Sequence, residues 1–287
     1  MSGSVAAYTP RSPALQLFSL KGRHVLLTGG SRGIGAAIAI GLAEAGALVC
    51  VAQRDINNPK TVDVIRAKGL EARMIACDLA NANAARRVFQ EALDIMDGRI
   101  DILVNCGGIL RRNDSLLVSE DEWDTVKTIQ IAKSRTGLII NAHSLQVLDV
   151  NLKSLFFICQ AAGRHMVPRK SGKIINIASI NSFVGGENHS PYSASKGGVS
   201  QLTKALSNEW AKHNVQVNAI APGYVATDMN VELRSDAQKT AAMIVDCPAG
   251  RWGTPEDYAG PAVFLASDAS QYVSGEVLVV DGGYLGK

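Results

Sequence analysis

Residues 24–35 read HVLLTGGSRGIG, and their reading decides the fold. HVLLT (24–28) is a short apolar run of the kind that forms a buried strand. A glycine-rich turn follows at once, and from Gly33 apolar residues recur at helical spacing to about residue 46. A strand, a glycine turn and a helix N-terminus in immediate succession make an anion site, because backbone N–H groups and the helix dipole face the same point. Gly29 permits the sharp turn, and Gly33 and Gly35 let a pyrophosphate approach the backbone. Ser31, Arg32 and Ile34 complete the turn.

Outward from this unit the same alternation continues. ALVCVA (47–52), EARMIAC (71–77), IDILVN (100–105), KIINIAS (173–179), VQVNAIA (215–221) and VLVVD (277–281) read as six further strands. Helical patterns lie between them, at 33–46, 60–68, 81–97, 119–165, 191–213 and 255–267. Near-continuous apolar strands separated by helices predict a parallel sheet covered on both faces. No Pro- or Gly-rich linker divides the chain. The expectation is one doubly wound α/β domain over 20–287, seven strands in its sheet, preceded by a flexible arm at 1–19.

Composition narrows the function classes. Hydrophobic residues make up 47% of the 287, enough for a large core. Net charge is +3 with scattered cations, which points to a small-molecule partner and away from nucleic acid. The five cysteines (50, 77, 106, 159 and 247) form no C-x-x-C, so free thiols in a reducing compartment are expected, with no metal site. No apolar run is long enough for a membrane span. The first twenty residues lack the basic-then-apolar order of a secretory signal, so a cytoplasmic location is expected.

The glycine turn has the spacing G-x-x-x-G-x-G, and here the chain resembles the classical short-chain dehydrogenase/reductase family. CDL (77–79), NCGG (105–108), YSASK (192–196) and PGYVATD (222–228) agree with it, over about 20–287. The resemblance implies a Rossmann-type domain and assembly as a homo-oligomer, a dimer or tetramer. It implies Asp78 and Leu79 beside an adenine, Asn105, Gly107 and Gly108 lining the cofactor, and Pro222, Gly223, Val225 and Thr227 holding a nicotinamide. The family form of 105–108 is usually N-N-A-G, from which Cys106 and Gly107 depart with little change in size. In VAQRD (51–55), Gln53 stands where the family usually has the acid that selects NAD. Arg54 and Arg32 favour the 2′-phosphate of NADP, and Asp55 favours NAD. NADP(H) is therefore expected over NAD(H).

Tyr192 and Lys196 lie one helical turn apart, and Ser179 ends a strand 13 residues earlier. Hydride reduction of a ketone leaves negative charge on oxygen, which a proton donor must quench. Tyr192 is the expected acid/base, with Lys196, helped by the positively charged nicotinamide of the oxidised cofactor, expected to lower its pKa from near 10. Ser179 would stabilise the substrate oxygen. The family's fourth member is an Asn on the long helix, matched by Asn151.

Further stretches, among them FSLKGR (18–23), GGILRRND (107–114) and PAGRWGTPED (248–257), look like the sugar-acid branch of the family. That implies a substrate such as 2-deoxygluconate or 2-dehydro-3-deoxygluconate. Arg111, Arg112, Asn181 and His189 are the candidate substrate contacts, and 228–250 the substrate lid. The alternative is a 3-oxoacyl-thioester or other ketone reductase of the same family.

One stretch breaks the pattern. The family places a Trp seven residues before the helix Asn, whereas Trp123 and Asn151 are 28 apart. Removing Val126 to Gln146 joins EDEWDT to VLDVNLKSLFF and restores one helical period. Two readings stand: a native insert that alters an interface or pocket, or a translated intron, for which Val126-Lys127 and Gln146 permit the usual boundary codons. Splitting a packed helix leaves unpaired backbone groups. A cofactor-binding but weakly active or inactive isoform is therefore a further alternative.

Overall fold

The computed structural model describes residues 13–118 and 147–287. Their organisation is the expected one, seven parallel strands in the order β3-β2-β1-β4-β5-β6-β7. The strands are β1 (His24–Thr28), β2 (Leu48–Gln53), β3 (Ala72–Ala76), β4 (Ile102–Asn105), β5 (Gly172–Ile177), β6 (Val215–Pro222) and β7 (Val277–Val280). Every residue of β4, β5 and β6 is buried, which is why these segments carry no polar alternation.

The helices divide between the two faces. On one, α1 (Gly33–Glu44) and α2 (Lys60–Ala67) bury Ile38, Leu42, Val62 and Ile65 against Val25, Leu27, Val49 and Val51. On the other, α3 (Ala82–Ile95), α4 (Ser154–Arg169) and α5 (Ser190–Trp210) bury Phe89, Ile158, Met166 and Val199 against Leu26, Leu103 and Ile174. Side chains of β1 alternate between the two cores, as the period of a strand requires. After β6 come the short α6 (Val231–Ser235) and α7 (Ala237–Asp246), within the stretch expected as a lid. The last helix, α8 (Ala259–Ala266), returns to the α1 face.

Part of the expected flexible arm is structured. Ala14–Phe18 form a 3-10 turn, and Phe18 lies 6.3 Å from the Phe264 ring, an apolar contact that ties the turn to α8. Residues 1–12 and 119–146 lie outside the described residues, and with them Trp123 and the 126–146 insert. On the far side of the insert, Val147 and Leu148 are helical. A π-helical turn, Asp149–Lys153, then leads into α4.

Candidate active site

The sheet order reverses between β1 and β4, and ligands in such folds sit beyond the carboxyl ends of the strands at that point. There the chain leaves a cleft of about 820 Å³. Its floor is the glycine turn. Gly29 has φ +74°, and a Cβ there would lie 2.5 Å from the Gly107 Cα, so a side chain would push the β1 and β4 turns apart. A Cβ on Gly35 would meet the Gly29 carbonyl oxygen at 2.2 Å. The N-cap of α1, Arg32, makes no side-chain cap bond, so the first N–H groups of the helix are not capped by that residue. A bare helix N-terminus over a glycine cradle fits a dinucleotide pyrophosphate.

Ser31, Arg32, Gly33, Ile34, Arg54, Asp78, Leu79 and Gly107 line this half of the cleft. Pro222, Gly223, Val225 and Thr227 line its continuation beyond β6. Asn105 stands one layer below. Its amide donates to Asn176 Oδ1 at 3.0 Å and to the Cys159 thiol at 3.2 Å, tying β4 to β5 and α4, and its Oδ1 is buried without a partner. Gln53 is 4% exposed and donates to the carbonyls of Asp55 and Asn58, both at 2.7 Å. It shapes the loop after β2. Asp55 closes that loop by accepting from Asn57 N at 2.9 Å. Lys60, at the start of α2, reaches the same end of the cleft. Sequence reasoning passed over it, since it read only as the first residue of a helix.

At the other end, Ser179 lies two residues beyond β5, and Tyr192 and Lys196 project from the first turns of α5. Ser179 Oγ accepts from Asn181 N at 3.1 Å, and the Ser179 hydroxyl hydrogen-bonds the Tyr192 phenol. Lys196 Nζ donates to the Ile177 carbonyl at 2.6 Å and lies 5.7 Å from the centre of the Tyr192 ring. Asn151 is buried. Its Oδ1 accepts from Ile109 N at 2.8 Å, and its amide donates to the Ile109 carbonyl at 2.9 Å and to Ser195 Oγ at 3.1 Å. A Cβ on Gly108 would lie 3.2 Å from Asn151 Oδ1 and 3.7 Å from Lys196 Nζ, so both side chains approach that glycine. The four residues picked from sequence are thus assembled, with Asn151 behind the cleft wall.

Burial pushes the Tyr192 phenol above its ordinary value, opposed by the Ser179 hydrogen bond and the Arg112 charge. Burial lowers the Lys196 ammonium from 10.5 to about 8, and one of its three donors goes to the Ile177 carbonyl. Cys106 also lines the cleft between these groups, its thiol pushed up to about 12 by burial.

Arg111, Arg112, Asn181 and His189 all line the substrate end. Arg112 Nη2 donates to Asn230 Oδ1 at 3.2 Å, and its charge is felt by Tyr192, His189 and Tyr224. Asn181 donates to Ser193 Oγ at 3.3 Å. Tyr224 and Asn230 line the cleft too. Both lie in or next to PGYVATD, a motif read for cofactor contacts alone.

The model of the short chain dehydrogenases matches residues 23–238. The chain belongs to the short-chain dehydrogenase family. It is an oxidoreductase. The dehydrogenase is 42% identical over 274 residues to the 2-dehydro-3-deoxy-D-gluconate 5-dehydrogenase of Escherichia coli K12, covering 95% of this chain and 99% of that one. Among solved structures, the gluconate 5-dehydrogenase of Burkholderia cenocepacia, in complex with NADP and tartrate, is 38% identical. Its TM-score is 0.84, over 96% of this chain and 100% of that one. A 3-oxoacyl (acyl-carrier-protein) reductase of Agrobacterium tumefaciens with NADP bound is 33% identical with a TM-score of 0.80, over 94% and 96%. The dehydrogenase depends on a nicotinamide dinucleotide, NAD(P), for which the glycine cradle is built.

Proposed function

We propose that this dehydrogenase interconverts a secondary alcohol and a ketone on a sugar acid, with NADP(H) favoured over NAD(H). The observation that carries the reading is the cationic Arg112 side chain at the substrate end, close enough to Tyr192 to act on its ionisation. A guanidinium offers paired donors to a carboxylate, and a sugar acid presents one together with several hydroxyls. The relatives named for gluconate and deoxygluconate chemistry support the same class.

The bound dinucleotide supplies the hydride. Tyr192 gives its proton to the ketone oxygen in reduction and takes it back in oxidation. Ser179 holds that oxygen and stabilises the charge that develops on it. Lys196 steadies the phenol's surroundings and the nicotinamide ribose, and Asn151 fixes the loop at Gly108 and Ile109 over both. For the cofactor, no carboxylate occupies position 53, while Arg32, Arg54 and Lys60 line the far end of the cleft. Three cations suit a 2′-phosphate and have little to offer a bare 2′-hydroxyl.

A spectrophotometric screen tests this directly, with NADP and NAD, deoxygluconate-type sugar acids and acetoacetyl thioesters. Turnover of a sugar acid at higher kcat/KM with NADP is the expected result. Turnover of the thioester alone would place the chain with the 3-oxoacyl reductases. Assembly as a dimer or tetramer of identical chains in the cytoplasm completes the reading. Light scattering on the purified protein measures the assembly.

A further inference from the structure

Arg112 stands on the loop after β4, exposed at the substrate end of the cleft, and its Nη2 donates to Asn230 Oδ1 at 3.2 Å. The amide of Asn230 has one way to sit there. Its Nδ2 donates to the Val225 carbonyl at 3.0 Å, so exchanging its two ends would set N–H groups against the guanidinium and an oxygen against a carbonyl. Its backbone N–H donates to the Thr227 carbonyl at 3.1 Å. Val225 is buried and bridges to Gly253, with Ala226 N donating to the Gly253 carbonyl and Gly253 N to the Tyr224 carbonyl, both at 2.9 Å. Val225 and Thr227 line the cleft beyond β6. Through one amide, Arg112 is thus set against the segment that the proposed reading gives to the nicotinamide.

The same 3-10 turn, Asp228–Asn230, holds a second arginine differently. Arg32 Nη1 meets Asp228 Oδ2, a carboxylate that offsets its charge. Arg112 meets a neutral oxygen, and among the described residues it has no ion-pair partner. One of the five N–H donors of the guanidinium is used, and four remain with the charge uncompensated. A carboxylate at position 230 would occupy the guanidinium as a substrate carboxylate would. The amide gives Arg112 a place without giving it a counter-ion.

We propose that Asn230 is a positioning residue that keeps the Arg112 guanidinium in place and uncompensated for the substrate carboxylate, and so selects acids over neutral sugars of the same length. This rests on the sugar-acid reading and deepens it. A long arginine side chain on an exposed loop has many rotamers, and holding it in one lessens the ordering that binding must impose. Because the hold runs to the Val225–Thr227 segment, the carboxylate is fixed relative to the cofactor rather than to the loop that carries Arg112. Reacting groups a fixed distance apart are what hydride transfer requires.

The test uses the full chain with gluconate and 2-deoxygluconate, each as the free acid and as its neutral carboxamide. It compares wild type with Asn230→Asp, Arg112→Gln and the double variant, and NADPH binding is followed separately by fluorescence. Wild type is expected to prefer an acid over its carboxamide by roughly tenfold or more in kcat/KM, the range of a hydrogen bond to a charged group. Asn230→Asp gives Arg112 a counter-ion and should cut that preference by about fivefold or more, chiefly through the KM of the acid. In the Arg112→Gln background the same substitution should move the preference by less than about twofold, because the two residues act as one unit. If Asn230→Asp fails to bind NADPH, Asn230→Ala, which releases Arg112 from its place, is compared in its stead with the same expectation. Equal turnover of acid and carboxamide by wild type would overturn the role of Asn230 and leave the substrate class standing. So would an unchanged preference in an Asn230 variant that binds NADPH, or an equal fall in the Arg112→Gln background. Wild type that binds NADPH and turns over neither acid would overturn both.

Discussion

In the proposed reaction turnover depends on the proton at Tyr192, and burial holds it on the phenol at neutral pH. Removing the hydroxyl leaves the ring and the cleft in place. Tyr192→Phe is therefore expected to lose about 10³-fold in kcat, in line with general acid–base contributions, while NADPH binding by fluorescence stays within about twofold. Lys196 gives a prediction about stability. Its folded pKa of about 8 lies below its ordinary value of 10.5, so below pH 8 the fold carries the full cost of burying the charge. Between about 8 and 10.5 the unfolded chain holds the proton that the folded one has released. Stability therefore rises with pH over that window, and the cost is gone above it. Wild type should gain on Lys196→Met by up to about 3 kcal/mol from pH 8 to pH 10.5, at 1.36 kcal/mol per pKa unit. Denaturant melts across that range measure the gap; a gap that narrows toward low pH instead would refute the assignment.

At the scale of elements, all seven strands were legible because each is a short, nearly uninterrupted apolar run between helical periods. Their observed ends differ by two residues at most, as at β4 (Ile102–Asn105) against an expected 100–105. The glycine turn was legible for a different reason: only glycine tolerates the approach of Gly107. What the chain order hid were contacts between distant segments. Lys60 lines the same cleft as Arg54 because α2 starts at the carboxyl edge of the sheet. Likewise Arg32, in the first turn, pairs with Asp228, which opens the lid stretch, Nη1 to Oδ2 at 3.0 Å. That bridge is well exposed, and one of its partners is the arginine expected to meet a 2′-phosphate. Freeing Arg32 by Asp228→Asn should tighten NADPH binding by about two- to fivefold, the range of an exposed ion pair, with NADH unchanged. Fluorescence titrations with both dinucleotides check it, and an equal change for NADH would show that Asp228 acts on the cleft as a whole.

For the whole molecule, the 126–146 stretch sets the sharpest question, because it interrupts the path from Trp123 to Asn151. A helix split beside Asn151 should leave that side chain without its partners if the fold could not absorb the extra chain. Its partners are present: Val147 is 1% exposed, and Asn151 makes two bonds to Ile109 and one to Ser195. The π turn at Asp149–Lys153 passes into α4 without a break, and α4 packs into the same core as α3 and α5. Extra residues between two anchored points cost little more in closure entropy as their number grows, roughly 0.6 kcal/mol per doubling. The site is therefore expected to work with the stretch in place. The full chain and its 126–146 deletion should both bind NADPH and turn over a sugar acid, with kcat/KM values within about tenfold, or 1.4 kcal/mol. A full chain that binds NADPH yet stays inert, and a deletion that turns over, would instead make the 126–146 stretch what silences the enzyme. It would also mean that a correctly seated Asn151 is not enough.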